Sequence, residues 1–116
     1  MSNTSYQETF QKIGGRLKSL HQNIPDAMSG FSALHKSAVA DGVLDEKTKE
    51  LIALAIGVAD HCEGCVIFHA QALAKLGASR KEVEEMLGVC ILMGGGPSMM
   101  WATEALAAFD EFVAAA

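Results

Sequence analysis

The stretch Glu50–His69, ELIALAIGVADHCEGCVIFH, decides how the chain is read. Leu51, Leu54, Ala55 and Val58 recur at three- and four-residue steps, the period of a helix with one buried stripe. The polar pair Asp60-His61 interrupts that pattern, and Asp60 is placed to cap a fresh helix that begins close to Cys62. Val66, Ile67, Ala70, Leu73 and Ala74 then spread over much of the circumference of the second helix. A helix that is apolar nearly all round lies at the centre of a fold or is covered by a partner.

Working outward, the same period continues in both directions. A first helix from about Ser5 to Leu20 carries Phe10, Ile13, Leu17 and Leu20 on one face. Pro25 suits the first position of a second helix reaching about Ala40, with Met28, Phe31, Leu34 and Val39 as its apolar positions. Asp41-Gly42 marks a turn, and Asp45 caps the helix Glu46 to Ala59. Beyond Leu76, Gly77 is a normal helix terminator, and Ser79-Arg80-Lys81-Glu82 is a capping box opening a fifth helix. That helix runs to about Met93 and buries Val83, Met86, Leu87, Cys90 and Ile91. Gly94-Gly95-Gly96-Pro97 predicts a full break. A sixth helix from Pro97 or Ser98 to about Val113 then carries Trp101, Leu106, Phe109 and Phe112 beside a small-residue surface at Ala102, Ala105 and Ala108.

The expected architecture is therefore all-α: one compact domain over residues 1–116, about six helices, with 1–24 as an N-terminal helical extension. Residues 1–4 are expected to fray. A chain of 116 residues supports one core, and half of it is apolar, which argues against disorder away from the ends. Alanine, leucine and methionine outweigh β-branched and aromatic residues, in keeping with helix. So small a domain covers a helix that is apolar all round most economically by self-association.

The balance of charge narrows the function classes. A formal net charge of -5 and the lack of a dense Lys/Arg block speak against nucleic acid as a partner. The best apolar run is interrupted by Asp60, His61 and Glu63, so no membrane helix is expected. MSNTSYQETFQK lacks the basic and apolar tandem of a secretory signal, and a cytoplasmic location is the expectation. Three cysteines do not make a stapled extracellular framework. In a reducing compartment a close pair cycles, binds metal or does chemistry, whereas Cys90, within VCILM, reads as core filler.

The chemistry concentrates in the opening stretch. Cys62 and Cys65 form a C-x-x-C pair, and an i,i+3 step brings two helical backbones within roughly 5–6 Å, inside the range a disulfide needs. Near a helix start both sulfurs lie by unsatisfied amides and the positive dipole end, which favour thiolate. His69, one turn after Cys65 on the same side, is placed to relay a proton, and a tight return points Glu50 at His69 or a shared water. The competing readings are a metal site, with Glu50 or His61 completing Cys62, Cys65 and His69, and inert core cysteines. Glu63 reads as an exposed first-turn residue, and Trp101 as a core or subunit contact. The triple glycine lacks the spacing of a phosphate loop.

Glu50, the Cys62-Glu63-Gly64-Cys65 segment, His69, and the LG-A-S-x-x-E segment from Leu76 to Glu82 together resemble the carboxymuconolactone decarboxylase superfamily. Within it they resemble the AhpD-like alkylhydroperoxidase branch, over roughly residues 25–113. The resemblance implies an all-helical, commonly trimeric or hexameric protein with catalytic centres near helices packed between subunits. It implies Cys65 as the peroxide-attacking cysteine, Cys62 as the resolving one, and His69 with Glu50 as proton relay. The corresponding partners are a peroxide substrate and an external dithiol or redox protein as reductant, with no cofactor and no resident metal. Gly64 stands where the best-characterised peroxidase members carry a histidine, so a weak peroxidase or a general disulfide exchanger fits the motif. The alternatives are a non-catalytic metal-binding or redox-sensing oligomer, and a decarboxylase-like lyase acting on a small acidic substrate.

Overall fold

In the computed structural model, which describes residues 5–116, the chain forms α1 (Tyr6–Asn23), α2 (Pro25–Val39), α3 (Glu46–Ala59), α4 (Glu63–Lys75) and α5 (Arg80–Ala115). The expected fraying of residues 1–4 lies outside the described residues. Local signals in the sequence account for most of the boundaries. The Ser5 hydroxyl accepts from the Glu8 amide, Pro25 opens α2, and the Asp45 carboxylate accepts from the Thr48 amide. Gly77 ends α4 at φ 76°, a left-handed conformation costly for any residue with a Cβ. Both halves of the Ser79/Glu82 capping box are formed.

One boundary differs from expectation. Asp60 does not start α4 but ends α3, its backbone N–H donating to the Ile56 carbonyl and that of His61 to the Val58 carbonyl; the cap of α4 is Cys62 itself, whose sulfur accepts from the Cys65 amide. The helix is interrupted within Gly94–Pro97 as expected, and the two helical segments that meet there are carried as the single span Arg80–Ala115, which makes five elements among the described residues where about six helices were expected. Gly95 leaves helical geometry, at φ 69° and ψ -149°, and Pro97, which has no N–H to lose, falls in the first turn of the segment that follows. Gly94 is required there for a separate reason: any Cβ would collide with the side chain of buried Ser98.

The centre of the fold is α4, which packs against α3, α5 and α1. Its Val66, Ile67, Ala70 and Leu73 join Leu54 and Val58 of α3 and Val83, Leu87, Ala105, Ala108 and Phe109 of α5 in one core. Each large member, Leu54, Ile67, Leu73 or Phe109, contributes about 1.5–3 kcal/mol by leaving water. The small-residue face at Ala102, Ala105 and Ala108 is a buried seam that lets α5 approach closely. Ile91 faces outward, one step off the Val83–Leu87–Cys90 stripe.

The helices α1 and α2 contribute no buried residue. Phe10 on α1 is only half-buried, set against Phe68 and Phe112. On α2, Phe31 is 68% exposed and Leu34 62% exposed, so the apolar stripe read from the sequence exists but faces out of the chain. Ile52 and Ile56 on α3 and Val89, Leu92 and Met93 on α5 are uncovered as well. By length and composition α5 is apolar enough to cross a bilayer, which displaces the interrupted run at Asp60 as the candidate span. Here α5 is kinked at Gly95 and its Ala102, Ala105, Phe109 and Phe112 close the core.

Candidate active site

The turn between α3 and α4 sets the site. Asp60 caps the first helix, His61 adopts φ 53°, and the chain re-enters helix at Glu63, so that Cys62 falls at the N-cap and Cys65 in the first turn. The two cysteines are joined as a disulfide with their Cα atoms 5.2 Å apart. Cys65 is exposed and Cys62 half-buried. The Cys65 amide lies 3.2 Å from the Cys62 sulfur. When the bond opens, that donor and the helix dipole stabilise a thiolate on Cys62.

On the next turn of α4, His69 places Nδ1 2.7 Å from Oε2 of Glu50. Glu50 comes from the second turn of α3 and is buried, one of two buried polar residues among the described residues. A carboxylate enclosed to this degree is retained only with partners. His69 is the principal one, and the contact fixes the imidazole through Nδ1 and leaves Nε2 free of Glu50.

Gly57, absent from the sequence-level candidates, brings α3 and α4 together. A Cβ at that position would lie 3.1 Å from Cys65 Cβ and 3.4 Å from the Val66 amide nitrogen. The close approach that sets Cys65 against α3 therefore depends on the absence of a side chain. A small residue in the middle of an apolar helix was the available signal. His35, on α2, was also missed: its Nε2 lies 3.9 Å from the other Glu50 oxygen, and nothing in FSALHKSAV sets it apart from a solvated histidine.

The remaining candidates go elsewhere. His61, weighed as a fourth metal ligand, stacks on Trp101 with ring centroids 5.9 Å apart and planes 7° from parallel. Among the described residues no three His, Cys, Asp or Glu side chains are arranged to hold a metal ion. Glu63 lines a cavity of about 360 Å³ with Tyr6, Trp101 and Glu104, on a different face of α4 from His69. Tyr6 donates to Glu104, and burial together with that carboxylate pushes its phenol well above the usual range. Cys90 is buried against Ala55 and Met86, and burial pushes its thiol up, which keeps it protonated and unreactive.

An all-helical core with a C-x-x-C disulfide at a helix start and a buried carboxylate–imidazole pair behind it defines the class. The pattern of the carboxymuconolactone decarboxylase family matches residues 25–108, and the chain belongs to that family, which includes enzymes. It is similar to the crystal structure of an apo carboxymuconolactone decarboxylase family protein from Legionella pneumophila, with a TM-score of 0.91 and 49% identity. That likeness covers 93% of this chain and 96% of the other. An uncharacterized protein of Cupriavidus necator is 40% identical over 92% of this chain and 95% of its own length. An uncharacterized protein of the cox locus of Paracoccus denitrificans is 37% identical over 70% and 73% respectively. The AhpD-like placement suggested by Glu50, Cys62, Cys65 and His69 is consistent with these matches.

Proposed function

We propose that the protein is a thiol-dependent peroxidase or disulfide oxidoreductase that cycles Cys62 and Cys65 between dithiol and disulfide. The observation that carries the reading is the conjunction at one helix start: a pair of cysteines close enough to bond, backed by His69 held 2.7 Å from a buried Glu50. In the oxidative half, His69 takes the proton of exposed Cys65, whose thiolate attacks a peroxide oxygen. The O–O bond breaks, the alkoxide leaves with the proton as alcohol, and Cys65 becomes a sulfenic acid. The Cys62 thiol condenses with it, forming the disulfide and releasing water. An external dithiol restores the pair by exchange.

The test is a thiol titration before and after one equivalent of an organic hydroperoxide. Loss of two accessible thiols, with Cys62 and Cys65 found bonded by peptide mass analysis, supports the reading; unchanged thiols refute it. Intact mass assigns the order: Cys62→Ser is expected to hold a sulfenic acid at Cys65 and Cys65→Ser to be inert. A trapped sulfenic acid in Cys65→Ser reverses the two roles. An activity on a small acidic substrate that survives Cys65→Ser places the protein with the lyases of its family.

Self-association belongs to the same proposal. Phe31, Leu34, Ile52, Ile56, Leu92 and Met93 leave more apolar surface uncovered than scattered surface residues account for. A trimer or hexamer that buries these helices fits, and sedimentation equilibrium tests it; a monomer at micromolar concentration rules it out. A cytoplasmic setting, with its reducing thiol pool, fits a dithiol that must be regenerated.

A further inference from the structure

The cavity of about 360 Å³ between α1, α4 and the part of α5 beyond Gly95 is used by no step of the thiol chemistry. Its lining joins the buried side chains of Val66 and Ile67 to two aromatic rings, Tyr6 and Trp101, and two carboxylates, Glu63 and Glu104. The volume falls among small-molecule sites, which run from roughly 300 to 1,000 Å³. No Lys, Arg or His lines it, and among the described residues neither carboxylate is in an ion pair.

The walls are held in place. The Glu111 carboxylate accepts from the backbone amides of Tyr6 and Gln7, at 3.2 and 3.0 Å, and seats the start of α1 on α5. Tyr6 donates its phenolic proton to Glu104, and the indole of Trp101 stacks on His61. The Thr103 hydroxyl donates to the Met100 carbonyl at 2.6 Å. Both hydroxyl donors of the lining are therefore already used, whereas carboxylate oxygens remain. An anion entering here meets two like charges and no basic side chain. An uncharged guest gains only apolar contact. A cation gains the carboxylates, whose field is focused by low-dielectric walls, and the negative faces of aromatic rings.

We propose that this cavity binds a small organic cation, an alkylammonium group seated between Glu63 and Glu104 against the rings of Tyr6 and Trp101. The site is built within one chain. Phe31, Leu34, Ile52, Ile56, Leu92 and Met93, the apolar surface assigned to self-association, contribute nothing to its lining, so it does not lie on the face that a second copy would cover. Nor does it depend on the thiol-redox reading, since His69 lies on another face of α4.

Calorimetric titration of the intact protein compares choline with its uncharged isostere, in which a quaternary carbon replaces the nitrogen. Choline is expected to bind in the millimolar range and the isostere about tenfold more weakly, the margin that a desolvated cation on an aromatic face provides. In nuclear magnetic resonance spectra the choline methyl protons should move upfield as protein is added, because they sit over aromatic rings. Glu63→Gln is expected to weaken choline about fivefold, the effect of one charge across a few ångströms of wet surface. Trp101→Leu should remove most of the upfield shift. Trp101 packs on the core, so Glu63→Gln, on the exposed first turn of α4, decides the matter where Trp101→Leu does not fold. Glu85→Gln removes a charge from an exposed position of α5 outside the cavity and should leave choline binding unchanged. Equal affinity for the two isosteres, or no choline binding at tens of millimolar, overturns the site. An equal loss in Glu63→Gln and Glu85→Gln overturns it too, because net charge alone would then attract the cation.

Discussion

Nδ1 of His69 lies 2.7 Å from Oε2 of Glu50, across 19 residues of chain and two different helices. The contact exists because Asp60 and His61 reverse the chain tightly enough to lay the first half of α4 along α3. It turns a buried charge, which alone would be expelled or neutralised, into the fixed support of an imidazole.

Glu50→Gln keeps the shape and removes the charge. The peroxide reaction of Cys65 is expected to fall about 100-fold, the lower end of what general acid–base groups supply. Far-ultraviolet circular dichroism should be unchanged, because the amide still bonds His69. A wild-type rate of thiol oxidation in this variant would remove Glu50 from the relay.

Gly57→Ala sets two effects against each other. Alanine in a helix interior is about 1 kcal/mol more favourable than glycine. Here the new methyl would sit 3.1 Å from Cys65 Cβ and press on the α4 backbone, an overpacking that costs about 1–3 kcal/mol. The second term wins, so the thermal midpoint should drop and the disulfide equilibrium with dithiothreitol should shift as Cys65 is displaced. A raised midpoint with an unaltered equilibrium would show that α4 yields freely.

Gly64→His restores the residue that the best-characterised peroxidase relatives carry. The nearest atom to a Cβ at this position is Ile13 Cδ1 at 3.8 Å, an ordinary contact, and the backbone is helical. The variant is expected to fold and to react with organic hydroperoxide about tenfold faster, as an added proton donor beside Cys65 would allow. Rapid-mixing measurement of sulfenic acid formation decides it; no acceleration would mean that His69 already supplies all the proton transfer the step can use.

His61→Val and His61→Gly separate backbone from ring. His61 sits at φ 53°, where a β-branched residue is strained by about 1–3 kcal/mol and glycine is not. The valine variant should unfold at lower urea concentration than the glycine variant, which loses only the stacking on Trp101. Equal midpoints would mean that the turn relaxes.

Much of this architecture could be read in the residues. The Ser5, Asp45 and Ser79 caps, Pro25 and Gly77 act through their nearest neighbours, and local rules placed them. The juxtaposition of Cys62, Cys65 and His69 was legible for the same reason, since successive turns of one helix fix their relation. Glu50 reached His69 as its spacing suggested, although only the fold could show how deeply it is enclosed. The misplaced features are those that depend on what lies across a gap. Cys62 displaced Asp60 as the cap because its sulfur takes the amide first. His35 and Gly57 were silent because their meaning lies in α3 and α4 respectively, not in their own helices.

The indole of Trp101, the only tryptophan in the chain, lies parallel to the ring of the residue that immediately precedes Cys62. Opening the disulfide frees the turn that carries His61, so emission from a single fluorophore should follow the redox state of the protein. The molecule thus brings its own optical gauge, and titrations of its sulfur chemistry need no added dye.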